Sequence, residues 1–189
     1  MPPKNTEVRM KTLSSDNTVR RLTSDAALVG CALMLSFVEA VLPIAALPIP
    51  GFKIGLSNIA ITAAAYRYSV KDAAAVSFCR IVLTFFLFGS PTSLIFSLFG
   101  AILSLTALAL TKRRFITSRF SFIGISVICA LCHNTGQLAA AFMLVGKASF
   151  GYILPLIIAS MIYGTLNGII LNLIPDRIYN KNNRTEGAI

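Results

Sequence analysis

Charge is what this sequence has least of. Only 13% of its 189 residues are charged, and acids are scarcest, seven Asp and Glu against seventeen Lys and Arg. With 56% hydrophobic residues and a mean hydropathy of +0.76, a water-soluble domain is excluded, because too much apolar surface would stay exposed. The single histidine rules out a paired-histidine metal motif, and no glycine-rich Walker loop is present, so the chain does not hydrolyse ATP itself. Aspartates lie only in tails or loops, which leaves no aspartate-rich diphosphate and magnesium site. The four cysteines, Cys31, Cys79, Cys129 and Cys132, all fall inside apolar runs; they make no loop-stapling framework and read as small packing residues. Cys129-Ala130-Leu131-Cys132-His133 has the spacing of c-type haem attachment, but that chemistry needs an accessible segment and this one is interior to an apolar run, so the match is accidental. There is no second ligand pair for zinc. No cofactor or metal is expected.

What the chain does have is apolar runs of membrane-crossing character. Six are found: Ala26 to Leu42, Ile54 to Tyr66, Ala73 to Phe88, Ser93 to Leu110, Phe122 to Val145 and Tyr152 to Ile174. A hydrocarbon core about 30 Å thick asks for roughly 20 apolar residues per helix, so the second run is the shortest fit. Turn-forming stretches separate them, among them Leu47-Pro48-Ile49-Pro50-Gly51 and Gly89-Ser90-Pro91. The expected fold is an all-α integral membrane protein, a compact bundle of six transmembrane helices over residues 26–174. Residues 1–25, polar and mixed in charge, read as a partly disordered cytoplasmic tail without a cleaved signal peptide, and residues 175–189 as a second cytoplasmic tail.

The net charge of +10 is a topology signal. Alternating sides from an inside N-terminus puts the basic residues of the N-terminal tail, Arg67 and Lys71, Lys112 to Arg114 with Arg119, and Arg177, Lys181 and Arg184 in the cytoplasm, fourteen of the seventeen. Lys53 and Lys147 fall outside and Arg80 within a helix, an asymmetry that orients the bundle with both termini in the cytoplasm of a plasma membrane. The basic residues form no continuous stripe, which argues against nucleic acid as a partner.

Chemistry must come from the few polar groups kept inside lipid, each expensive there unless it faces the bundle interior. Glu39 is the only acid within a span, with Ala32 and Ser36 on its face. Ala73, Ser77, Arg80 and Thr84 make one stripe of the third helix. His133, Asn134 and Gln137 crowd the fifth, and Lys53, Ser57 and Asn58 come just before or at the start of the second. Converging, these residues would form an outward-facing pocket for a polar or anionic small molecule with an apolar portion. The alternative is that Glu39 pairs with Arg80 and the amides only bind helices together. Small residues make further stripes. Ala26 and Gly30, followed by Ala32, Ser36 and Ala40, would admit a partner helix; those of the fourth helix (Ser93, Ser97, Gly100, Ser104) and the sixth (Ser160, Gly164, Gly168) suit packing within the chain.

Pro50-Gly51-Phe52-Lys53-Ile54-Gly55-Leu56-Ser57-Asn58, then Arg80, then His133-Asn134-Thr135-Gly136-Gln137 resemble the bacterial Gx transporter family, also called heptaprenyl diphosphate synthase component I. That family is similar to the substrate-binding S components of energy-coupling factor transporters. The resemblance implies a non-catalytic subunit that captures a vitamin-like nutrient beneath the first loop and docks through Ala26 and Gly30 on a coupling subunit driven by two ATPases; Gly30 departs from the usual alanine. It leaves two other readings open: a membrane helper of a prenyl diphosphate synthase, and a membrane component of flavin- or quinone-linked extracellular electron transfer.

Overall fold

The computed structural model describes residues 4–41, 53, 55–112 and 121–173. Its regular elements among these residues are all helical: α1 Lys4–Val41, α2 Asn58–Arg67, α3 Val70–Phe88, α4 Pro91–Thr111, α5 Phe122–Val145, a 3-10 segment Gly146–Tyr152, and α6 Ile153–Leu173. Three stretches, Thr18–Val41, Pro91–Thr111 and Phe122–Leu173, are long and apolar enough to cross a membrane; the last holds α5, the 3-10 segment and α6. At 10 residues, α2 is about 15 Å long, half of a hydrocarbon core.

The helix boundaries follow from local chemistry. Ser69, Ser90 and Ser121 cap α3, α4 and α5 by accepting the N–H groups of Asp72, Ser93 and Ile123, and Pro91 occupies the first turn of α4, where its missing N–H costs nothing. At α3 the cap is reciprocal, since the Asp72 carboxylate accepts from the Ser69 hydroxyl at 2.6 Å. The second helix starts at Asn58, later than the apolar run from Ile54 predicts. Gly55 has φ +93°, and a turn closed by Asn58 N–H to the Gly55 carbonyl (3.0 Å) occupies the intervening residues. Residues 4–25, expected as a partly disordered tail, are helical and begin α1, because they contain neither proline nor glycine to stop the helix that the apolar run propagates.

Successive helices run antiparallel, and backbone contact binds the later ones. In α4 and α5, Phe96 packs on Ala140 and Ala141 at one end, while Leu108 packs with Ile125 and Cys129 at the other. Between them a side chain at Gly136 would strike the Phe99 carbonyl group and come within 2.9 Å of the Gly100 Cα. Gly164 and Gly168 of α6 sit equally close to Val127 and Ile123 of α5. These stripes therefore serve packing inside the chain, as small residues do where helices cross in lipid. The burial pattern is inverted relative to a soluble core. Serines, alanines and polar residues are buried, while Met34, Phe78, Phe86, Leu87, Met143 and Leu173 are exposed, the surface that acyl chains cover.

At the end where α2 meets α3, Arg21 of α1 pairs with Asp72 and lies over the Tyr68 ring. Lys112, at the end of α4, donates to the Ala65 carbonyl over the Tyr66 ring, a cation held at a helix C-terminus. The candidate site lies toward the opposite end.

Candidate substrate-binding site

Arg80, in the middle of α3, is 2% exposed. Its Nη1 donates to the hydroxyls of Ser57 (2.6 Å) and Ser36 (3.2 Å), which joins α1, α3 and the start of α2. Nε and Nη2 are buried without a hydrogen-bond partner. Among the described residues Arg80 makes no ion pair within 4.0 Å, so the expected alternative of a Glu39–Arg80 bridge is not what the structure contains. Glu39 instead accepts the backbone N–H groups of Leu56 and Gly55, and its Oε2 is unpartnered. It remains within Coulombic range of both Arg80 and Lys53.

His133 fills the notch that Gly100 leaves in α4: a side chain at Gly100 would overlap its ring, at 2.6 Å from Cε1. The same imidazole touches the turn before α2, where a Cβ on Gly55 would lie 3.4 Å from Cδ2 and 3.1 Å from the Asn58 amide nitrogen. His133 Nδ1, Asn58 Oδ1 and the Ser77 and Thr84 hydroxyls are further buried polar atoms without partners. Native interiors rarely leave such groups unmatched, so several around one guanidinium call for an explanation. Nearby, Asn58, Thr62, Ser104 and Cys129 help line a small cavity with room for about one water.

Gln137 does something different from the ligand contact anticipated for it. Its side-chain amide pairs with the backbone of Lys53 in both directions, accepting from Lys53 N–H at 3.1 Å and donating to the Lys53 carbonyl at 2.8 Å. It thus clamps the chain just before α2 to α5, as a strand partner would. Gln137→Leu removes both bonds, each worth roughly 1 kcal/mol, and is expected to speed hydrogen exchange at the Lys53 amide on the order of tenfold or more. Unchanged exchange there would mean that the loop is held by other contacts.

The structure thus brings Glu39, Lys53, Asn58, Arg80, His133 and Gln137 to one region. Asn134 is turned aside, donating to Ser160 Oγ at 2.6 Å and to the Leu156 carbonyl at 3.4 Å on α6, which is helix-binding work. Ala26 and Gly30 face outward, and nothing lies within 4 Å of a Cβ built on Gly30, whereas Ala32 and Ser36 are fully buried; one small-residue stripe in the sequence is two faces of α1. Two residues outside the candidate set matter, Gly55 and Gly100, which make the space for His133. Gly100 is visible in sequence only as part of the Ser93-Ser97-Gly100-Ser104 stripe. Cys129 and Cys132 are free thiols within α5. The expected covering residues 42–52 lie outside the described ones.

The sequence model for heptaprenyl diphosphate synthase component I matches residues 28–174. The chain belongs to that family. The match spans every helix from the middle of α1 to the end of α6, and with them all candidate site residues from Glu39 to Gln137 and also Gly30, but not Ala26. No curated protein and no solved structure matches the chain. The name of the heptaprenyl diphosphate synthase component I family describes one part of a multi-component assembly.

Proposed function

We propose that this protein is a non-catalytic, six-span membrane subunit that captures an anionic small molecule and delivers it through a coupling subunit driven by an ATPase pair, in the manner of an energy-coupling factor S component. The observation that carries the reading is Arg80: a buried guanidinium with one nitrogen anchored and two unpartnered. A buried charge held this way is costly to the fold and gains a purpose when a ligand completes it. Antiparallel helices and basic residues gathered at alternate turns support both termini lying in the cytoplasm. The exposed Ala26 and Gly30 face supports close approach by a partner helix.

The test is purification of the complete chain from its native membrane under mild detergent. A coupling subunit and two ATPases are expected alongside it, with a small molecule in the extract. Transport by the chain alone in liposomes, driven by an ion gradient, would remove the capture-subunit reading. The family match favours a second reading, a membrane helper of a prenyl diphosphate synthase. It is distinguished by co-purification of that synthase and by loss of prenyl diphosphate synthesis when this chain is deleted.

Lys53 gives the site a pH dependence. Burial, reinforced by Arg80 and opposed by Glu39, pushes its ammonium down to about 8. A bound anion favours the charged lysine, so affinity is expected to be level below about pH 7 and to fall as the pH rises through about 8, by at most tenfold per pH unit for one proton. Binding isotherms between pH 6.5 and 9 check this, and Lys53→Gln should flatten the profile.

A further inference from the structure

Resting on the capture reading above, the structure assigns the Nε/Nη2 edge of Arg80 as a bidentate receptor for a single planar carboxylate-type anion, which makes the captured solute a monoanion carrying a hydrogen-bond donor.

The guanidinium is a planar fork whose nitrogens are not equivalent in use. Nη1 has two N–H donors, and both are matched, by the Ser57 and Ser36 hydroxyls at 2.6 and 3.2 Å. Those bonds fix the plane of the group. Nε and Nη2, unpartnered and buried, carry the two parallel N–H bonds of the remaining side edge, the geometry that a carboxylate matches with its two oxygens. Among the described residues no carboxylate takes this place: Glu39 is engaged by the Leu56 and Gly55 N–H groups instead. The sequence therefore keeps its one intramembrane acid close enough to moderate the site and withholds it from the edge.

The charge count narrows the ligand further. Arg80 and Lys53 give the site two basic side chains and Glu39 one acidic one, an excess of one base that a ligand with one negative charge matches. A diphosphate, with about three charges at neutral pH, would lack both countercharge and a metal site, since no group of three His, Cys, Asp or Glu is found among the described residues. The unpartnered acceptors Glu39 Oε2 and Asn58 Oδ1 call for a donor, an amine, amide or hydroxyl, on the same molecule.

Formate is the probe, being the smallest planar carboxylate. The full chain in detergent is melted in 100 mM sodium formate, in sodium chloride of equal ionic strength, and in chloride with 100 mM formamide. Formate should raise the melting temperature by several degrees over chloride and formamide should not. Arg80→Lys, which keeps the charge and loses the edge, should abolish the difference. Should that variant fail to fold, the wild-type comparison of formate with chloride and formamide still decides. A formate effect no greater than that of chloride, or one that persists in Arg80→Lys, overturns the assignment. Mass spectrometry of the co-purifying small molecule separates the two levels of inference. A neutral or polyanionic molecule, held stoichiometrically, would overturn the monoanion while leaving capture intact. Absence of both small molecule and coupling subunit would end the capture reading, and the formate result would still report on the edge.

Discussion

Arg80→Met is expected to yield a bundle at least as stable as the parent that no longer captures its ligand. The guanidinium is 2% exposed with two of its three nitrogens unmatched. An apolar side chain of similar volume removes the desolvation penalty of that half-matched charge, and Lys53 remains to balance Glu39. Ser36 and Ser57 lose a donor, but hydroxyls rotate to donate to helix carbonyls, as Ser160 and Thr135 do at 2.7 and 2.8 Å here. Binding suffers in the opposite direction. Two charge-assisted hydrogen bonds at roughly 1.5–3 kcal/mol each correspond to a loss of at least about 100-fold in affinity. Thermal unfolding in detergent and a binding isotherm together check the pair of outcomes. A variant that melts markedly lower yet binds normally would make Arg80 a structural residue and remove the basis of the site.

The second large effect concerns backbone contact between helices. Gly136→Ala is expected to destabilise the bundle by roughly 1–3 kcal/mol, the usual cost of overpacking, and more if α4 and α5 cannot separate. The new methyl would meet the Phe99 carbonyl carbon at 2.7 Å and the Gly100 Cα at 2.9 Å. These are main-chain atoms, which have no rotamer to move into. Gly30→Ala is the internal comparison. It has the same chemistry and the same helical context but nothing within 4 Å, so it should be neutral or stabilising by up to about 1 kcal/mol through helix propensity. Unfolding in a detergent series would read both. Equal behaviour of the two variants would show that the α4–α5 crossing is looser than its geometry states.

Much of this arrangement was legible because lipid simplifies the code. A stripe of small or polar residues within an apolar run has to face protein, so Ala73, Ser77, Arg80 and Thr84 could be assigned to one buried face from spacing alone, and all four are buried. The same reasoning placed His133 and Gln137 inside. It failed where the deciding partner is main chain. Nothing in the spacing of Gln137 indicates that its amide reaches the peptide group of Lys53, 84 positions away, and nothing about Glu39 indicates that the turn at Gly55 and Leu56 will supply its donors in place of Arg80. Periodicity also merged two faces of α1. At 100° per residue, Ala26 and Gly30 diverge from Ala32 and Ser36 within two turns, and only the packed bundle tells which pair is inside. The early start of α1 was missed for a simpler reason, since polarity was read as disorder where no helix-breaking residue stood.

The Gln137 clamp grips residue 53 by its peptide group and leaves that residue's side chain out of the bargain. Any amino acid other than proline offers the same N–H and carbonyl to α5. The loop can therefore keep its anchorage whatever chemical group residue 53 presents beside Arg80. In a scaffold whose other site residues are locked by packing, position 53 is the one where the selectivity of the protein can drift without cost to its architecture.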